Sequence, residues 1–422
     1  MKTVPTDPKL PGLAEPTEIQ LANGATLVQL SLADSPVACL DFWCRAGSAF
    51  ETATESGLAH FLEHMVFKGS QQLGPGEFDL KIEAMGGSSN AATGFDDVHY
   101  HVLVPTESAP EALELLLDLV LHPSLEPRAF EMERQVVLEE LAQSEDQPDE
   151  FAVQQLLRLG CPGHAYGEPI LGHRELLAAQ TPEAMADFHQ RLYGANRCVL
   201  AVCGASDSLL LKEVIGASAL ARLGVIDEPP PPPELAVKPG LHRIAVPRLE
   251  SARLLMLWGL PPASHIHAVM GADLLTTVLA EGRRSRLVAR LREQLRIVES
   301  IELDLHVMES GSFALLEAIC EADALGVVHR AIGQIWTEIH EQGLTDPEWQ
   351  RAQRLVANGY RFGLEAAGGL AGLIGNNRLW GRHQALARPL VEIESWTSQE
   401  LLHQALPLLD PSRACVLEAV PA

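Results

Sequence analysis

Apolar and polar positions change period several times along the chain, and each change marks a predicted element. Residues 19–32 alternate weakly about Asn23-Gly24, a dipeptide that favours a tight hairpin turn, so two short strands are expected there. Residues 37–46 form a third apolar strand that stops at Gly47. Beyond a polar loop the period becomes helical: Leu58, Ala59, Phe61, Leu62, Met65, Val66 and Phe67 fill an amphipathic helix, with Ser56 expected as its N-cap and Gly69 just past its end. A short helix over 77–85 ends at Gly86-Gly87. Residues 98–104 alternate as a half-buried strand, with Val98, Tyr100 and Val102 on one face and His99 and His101 on the other. Helices follow over 111–121, from Pro127 through Leu141, over 151–159 and after Thr181, and 197–204 reads as a buried strand.

The pattern breaks at residues 229–233, five consecutive prolines that favour an extended, semi-rigid spacer and cannot lie inside a sheet. This predicts a domain over 1–228, a linker over 229–233 and a second domain over 234–422. The second half repeats the order of the first: strands over 241–246 and 252–260, then a long helix over 268–279 closed by Glu281-Gly282. That helix carries no pair of histidines and glutamates. The expectation is a duplicated α/β unit in which only the N-terminal copy keeps a polar motif.

Composition narrows the class. At 422 residues the chain is too long for one core, and 47% hydrophobic with 21% charged residues is ordinary for a globular protein. The net charge of -25 opposes nucleic acid and anionic lipid as partners, and only 5% of residues are aromatic, too few for a stacking platform. Acidity supports solubility and would also attract basic peptides into a negative cleft. Seven cysteines form no C-x-x-C pair and sit mostly in apolar runs, which points to free buried thiols and a reducing compartment. No run reaches membrane-spanning length and the first residues contain no apolar signal segment, so a cytoplasmic location is expected.

The chemistry concentrates in His60-Phe61-Leu62-Glu63-His64. Residues four apart share one face of a helix, so both imidazoles project together, with Glu63 beside them. Two neutral imidazoles at that spacing suit Zn²⁺, whose catalytic sites take three protein ligands, and Glu63 would serve as general base. A solvated helix face would explain a single histidine equally well. Here the remaining positions are apolar, so the face meets a core and its polar groups need a partner there. Glu133 and Glu140, seven apart on the helix after Pro127, share a face beside the apolar stripe of Phe130, Val137 and Leu141.

H-x-x-E-H in this order resembles the motif of the pitrilysin/insulinase-type (inverzincin) zinc metallopeptidases. The chain is most similar to their short two-domain subunits related to mitochondrial processing peptidase. In that family the third zinc ligand lies about as far beyond the second histidine as Glu140 lies beyond His64 (140 − 64 = 76), which implies Glu140. The neighbouring Glu139 points about 100° away on the helix. Glu133 would then orient a ligand or the neighbouring helix. A family segment similar to 86–93 supplies an edge strand to which substrate adds, implying Asn90, Ala91 and Thr93 as substrate-binding residues, although by its residues alone the stretch equally fits a Gly/Ser/Asn loop. The loop over 163–172 resembles a family loop with a Gly-Arg-Pro core, with Glu168 where Arg is usual.

Residues 286–293 resemble a second-domain helix from which active relatives present an Arg followed seven residues later by Tyr. Arg292 matches the Arg, whereas Glu299 stands in the Tyr position and the four tyrosines lie elsewhere. The resemblance thus implies an α+β fold of two similar α/β sandwich domains arranged as a clamshell, and a zinc endopeptidase acting on short or unfolded peptides. It further implies a homo- or heterodimer whose homologous partner carries the Arg/Tyr pair. A non-proteolytic structural or peptide-binding subunit of the same fold is the alternative.

Overall fold

The computed structural model describes residues 10, 13–205 and 208–422. Its chain divides into two compact units, one of residues 1–142, 169–230 and 363–386, the other of residues 143–168, 231–362 and 387–422. The units are therefore not the contiguous halves 1–228 and 234–422 expected from the proline run. Each takes one segment from the far side of that run.

In the first unit six strands form a sheet: β1 (Thr17–Gln20), β2 (Thr26–Ser31), β3 (Val37–Cys44), β4 (Ser88–Thr93), β5 (Val98–Pro105) and β6 (Cys198–Gly204), ordered β1-β2-β6-β3-β5-β4. The Asn23-Gly24 turn pairs β1 with β2, and Gly24 takes the positive φ that the turn demands. β6 runs parallel to β2 and antiparallel to β3. The second unit repeats this with β7 (Gly240–Val246), β8 (Ala252–Leu260), β9 (Ser300–His306), β10 (Ser312–Cys320) and β11 (Cys415–Pro421), ordered β7-β11-β8-β10-β9. As β6 does with β2 and β3, β11 lies parallel to β7 and antiparallel to β8. The duplication is one of topology, with strands inserted in the same places.

Both faces of the first sheet are covered. Even-numbered residues of β3 and β5 (Leu40, Phe42, Tyr100, Val102) enter a core with the helices α1 (Leu58–Val66), α2 (Glu77–Ala84), α3 (Ala109–Leu121) and α4 (Pro127–Asp146). Odd-numbered neighbours such as Cys39, Trp43, Val199 and Ala201 are also apolar, and a second layer must hide them. The helix Ala367–Leu379 does so, through Leu370, Ala371 and Ile374. This need explains why a late segment joins the first unit. In the second unit α5 (Pro148–Gly160) packs on β8 and β11, and Gly160 comes so near Leu257 and Cys415 that a Cβ there would lie 2.7 Å from Leu257 Cδ2.

The start of α1 differs from expectation. Ser56 does not cap it. Gly57 occupies the N-cap at φ 85°, and the N–H groups of Gly57 and Ala59, which have no partner within the helix, donate to the Glu51 carboxylate at 3.0 and 2.7 Å. A carboxylate from the preceding loop thus replaces the local hydroxyl. Among the described residues no helix is long and apolar enough to cross a membrane.

Candidate metal centre

The two helices that carry the polar motif are fixed by their apolar sides. Phe61 of α1 packs on Phe130 of α4 with ring centroids 4.6 Å apart, and Leu58, Leu62, Met65, Val137 and Leu141 are buried around them. This pins the rotation of both helices. His60 and His64 consequently face α4 one turn apart, with ring centroids 4.6 Å apart, and Glu140 lies opposite them. Glu140 Oε1 is 3.8 Å from His60 Nε2, and its Oε2 is 3.4 Å from His64 Nε2. One ligand atom from each of the three residues lies within 4.8 Å of the others. Glu139 is exposed instead.

The charge pattern suits a cation. Burial, then the neighbouring His64, pushes the His60 imidazole down to about 4, so it is neutral and its lone pair is free. Burial alone would also lower His64, but the hydrogen bond to Glu133 and the charges of Glu140, Glu133 and Glu63 raise it above the usual imidazole range. Glu133, only 6% exposed, accepts from His64 Nδ1 at 3.0 Å and pairs with Lys68 Nζ at 2.8 Å. Burial pushes its carboxyl up, yet those two partners hold it below its ordinary value. An ionised carboxylate only accepts, so the neutral form of the His64 ring keeps its proton on Nδ1 and offers the Nε2 lone pair to an ion on the side of Glu140.

Ligands about 2.0–2.2 Å from a tetrahedral zinc stand roughly 3.3 Å apart. The 3.4 and 3.8 Å separations are close to that spacing, and two imidazoles with a carboxylate are a donor set zinc accepts. His60, His64 and Glu140 therefore fit the ion.

Glu63 lies on the same helix, its carboxyl raised chiefly by burial. Thr93 Oγ1 donates to Glu63 Oε2 at 2.5 Å. Thr93, expected to contact substrate, is thus engaged in holding Glu63. Asn90 and Ala91 lie with it on β4, an outermost strand of the sheet, so the stretch is a strand and not a loop. The Asn90 side chain is exposed, with Oδ1 accepting the N–H of Ala91. Arg292 belongs to the second unit, on a π-helical turn over Val288–Gln294, and pairs there with Glu293 at 2.9 Å. Glu299, in the same unit, accepts from the Ser251 hydroxyl.

Sequence reasoning missed two features. Lys68, one turn beyond His64, is the counter-ion of Glu133, and its position at i+4 was a usable signal. Asp41, His99 and His101 also place one ligand atom each within 4.8 Å of the others. The shared face of the two histidines was evident; the register that sets Asp41 opposite His101 was not.

Residues 28–174 match the family model described as insulinase, peptidase family M16, and residues 180–356 match that of the peptidase M16 inactive domain. An uncharacterized zinc protease of Mycobacterium leprae is 28% identical over 407 residues, covering 92% of this chain and 88% of that protein. The mitochondrial-processing peptidase subunit beta of Dictyostelium discoideum is 32% identical over 215 residues, 51% of this chain and 45% of that subunit. A solved protease from Helicobacter pylori shares the fold with a TM-score of 0.88, covering 96% of this chain and 99% of its own at 22% identity.

Proposed function

We propose that this chain, which belongs to the insulinase peptidase family M16, is a zinc-dependent endopeptidase that cleaves short or unfolded peptides laid along β4. The reading rests on one observation above others: His60 and His64 present Nε2 to a single carboxylate, Glu140, with Glu63 on the same helix. His60, His64 and Glu140 would hold the ion. Zinc bound there supplies Lewis acidity, polarising a peptide carbonyl and acidifying water.

The chain's own residues do the rest. Thr93 holds Glu63 Oε2 and leaves Oε1 to take the proton of the attacking water and pass it to the departing amine. Burial raises Glu63 toward the working range of such a base. Glu133 keeps the His64 ring in one tautomer and orientation. The outward edge of β4 offers backbone hydrogen bonds to an extended peptide, giving affinity with little dependence on side chains. The net charge of -25 favours basic peptides. Seven free buried cysteines suit a reducing, cytoplasmic setting.

Glu63→Gln is expected to keep zinc and to lose about 10²–10⁴-fold in peptide cleavage, whereas His64→Ala loses both. Cleavage by Glu63→Gln at the parent rate would overturn the assignment. Because Glu299 occupies the position of the family's Tyr, we also propose that a homologous subunit with an Arg/Tyr pair completes the active enzyme. Adding such a subunit to the purified chain should accelerate cleavage, and no gain removes the idea.

A further inference from the structure

We infer that Asp41, His99 and His101 form a second site for a borderline transition-metal dication such as Zn²⁺ or Co²⁺, on the face of the first sheet that the α1 core does not use. The placement follows from the ladder. Asp41 of β3 stands directly opposite His101 of β5, and Trp43 opposite His99, so the three candidate ligands share the odd-numbered face within two residues of each other. One donor atom from each lies within 4.8 Å of the other two, and His99 Nδ1 is 3.0 Å from Asp41 Oδ1.

The rings are held in order. Trp43 stacks on His99 at 4.1 Å, and His99 stacks on His101 at 5.5 Å. A site whose donors are already stacked loses little entropy on taking up an ion.

Two electrostatic demands converge here, one met only through a titratable imidazole and one unmet. Asp41 is 2% exposed, and among the described residues no Lys or Arg pairs with it; its ion-pair partner is the titratable His99. A buried carboxylate without a permanent cation is costly. His101 Nδ1 is buried and has no hydrogen-bond partner among the described residues. A single dication answers both, giving the carboxylate its counter-charge and the imidazole an acceptor for its lone pair.

The covering helix presents a glycine to the carboxylate. At Gly372 of Ala367–Leu379 an added Cβ would stand 3.8 Å from Asp41 Oδ2, so no side chain from that position fills the space over the carboxylate. Two imidazoles and one carboxylate favour Zn²⁺, Co²⁺ or Ni²⁺ over Mg²⁺ and Ca²⁺, which require mostly oxygen. The donor set is that of His60, His64 and Glu140, so this one unit carries it twice.

The test is a metal count on the full chain, stripped with chelator, dialysed against Zn²⁺ and measured by mass spectrometry. The parent should hold two equivalents, His64→Ala one, His101→Ala one, and the double variant none. Asp41→Asn, close in shape to the native residue, should also fall from two to one and covers the case in which His101→Ala does not fold. Co²⁺ loading of His64→Ala should show visible bands that disappear in the double variant. A parent with a single equivalent, lost in His64→Ala and kept in His101→Ala, would overturn the second site and leave the first intact. A count unchanged by His64→Ala would instead strike at the first.

Discussion

Replacing Glu133 with alanine isolates the contribution of a residue that touches a proposed ligand without being one. Its carboxylate makes two contacts, 3.0 Å to His64 Nδ1 and 2.8 Å to Lys68 Nζ, from a position that is nearly fully buried. The first contact fixes the tautomer and rotation of the ring, and the second keeps a cation away from the metal position. Loss of such an orienting partner ordinarily weakens metal binding by about 10–100-fold, equivalent to about 1.4–2.7 kcal/mol. Lys68 is 37% exposed and can turn its ammonium into water, so its added repulsion is small and the total stays in that range. Glu133→Gln retains an acceptor oxygen for Nδ1–H and should fall near the lower end. The assay is competition with a chromophoric chelator at about pH 8, above the imidazole range, with thermal melting to check the fold. A zinc dissociation constant within twofold of the parent for the alanine variant would refute the orienting role.

Two further changes probe other links. Thr93→Val removes the hydroxyl that stabilises the charged form of Glu63, so the Glu63 carboxyl should rise further and the acid limb of kcat/KM should move to higher pH with zinc content unchanged; a limb that stays in place would separate Thr93 from the base. Gly375→Ala would place a Cβ 2.4 Å from the Trp43 ring, overpacking the layer between the sheet and the helix Ala367–Leu379. Denaturant unfolding should show a loss of about 1–3 kcal/mol, and a neutral result would mean that the Trp43 ring moves freely.

What was legible in the sequence was local. The turn at Asn23-Gly24, the shared face of His60 and His64 and the seven-residue spacing of Glu133 and Glu140 all depend on backbone periods that short windows reveal. Contacts between distant residues were hidden. Ser56 had the right chemistry for an N-cap, but Glu51, five residues earlier in the same loop, folds back onto the N–H groups of Gly57 and Ala59 and leaves Gly57 free to adopt the left-handed conformation. Thr93 has a hydroxyl suited to many partners, and only the packing of α1 beside β4 selects Glu63. The grouping of Asp41 with His99 and His101 required the pairing register of strands some sixty residues apart. The division into units required knowing that the odd-numbered side of β3 is apolar enough to need a covering helix.

That covering helix imposes a schedule on synthesis. When β6 leaves the ribosome every strand of the first sheet is present, yet Val28, Leu30, Trp43 and Val199 still lack the layer that shields them until residues 363–386 appear. At roughly 5–20 residues per second the delay is about 10–40 s. During that interval the nascent chain carries a greasy, half-finished surface, a natural stop for a holding chaperone, and a gene fragment cut at the five prolines would remain in that sticky state permanently.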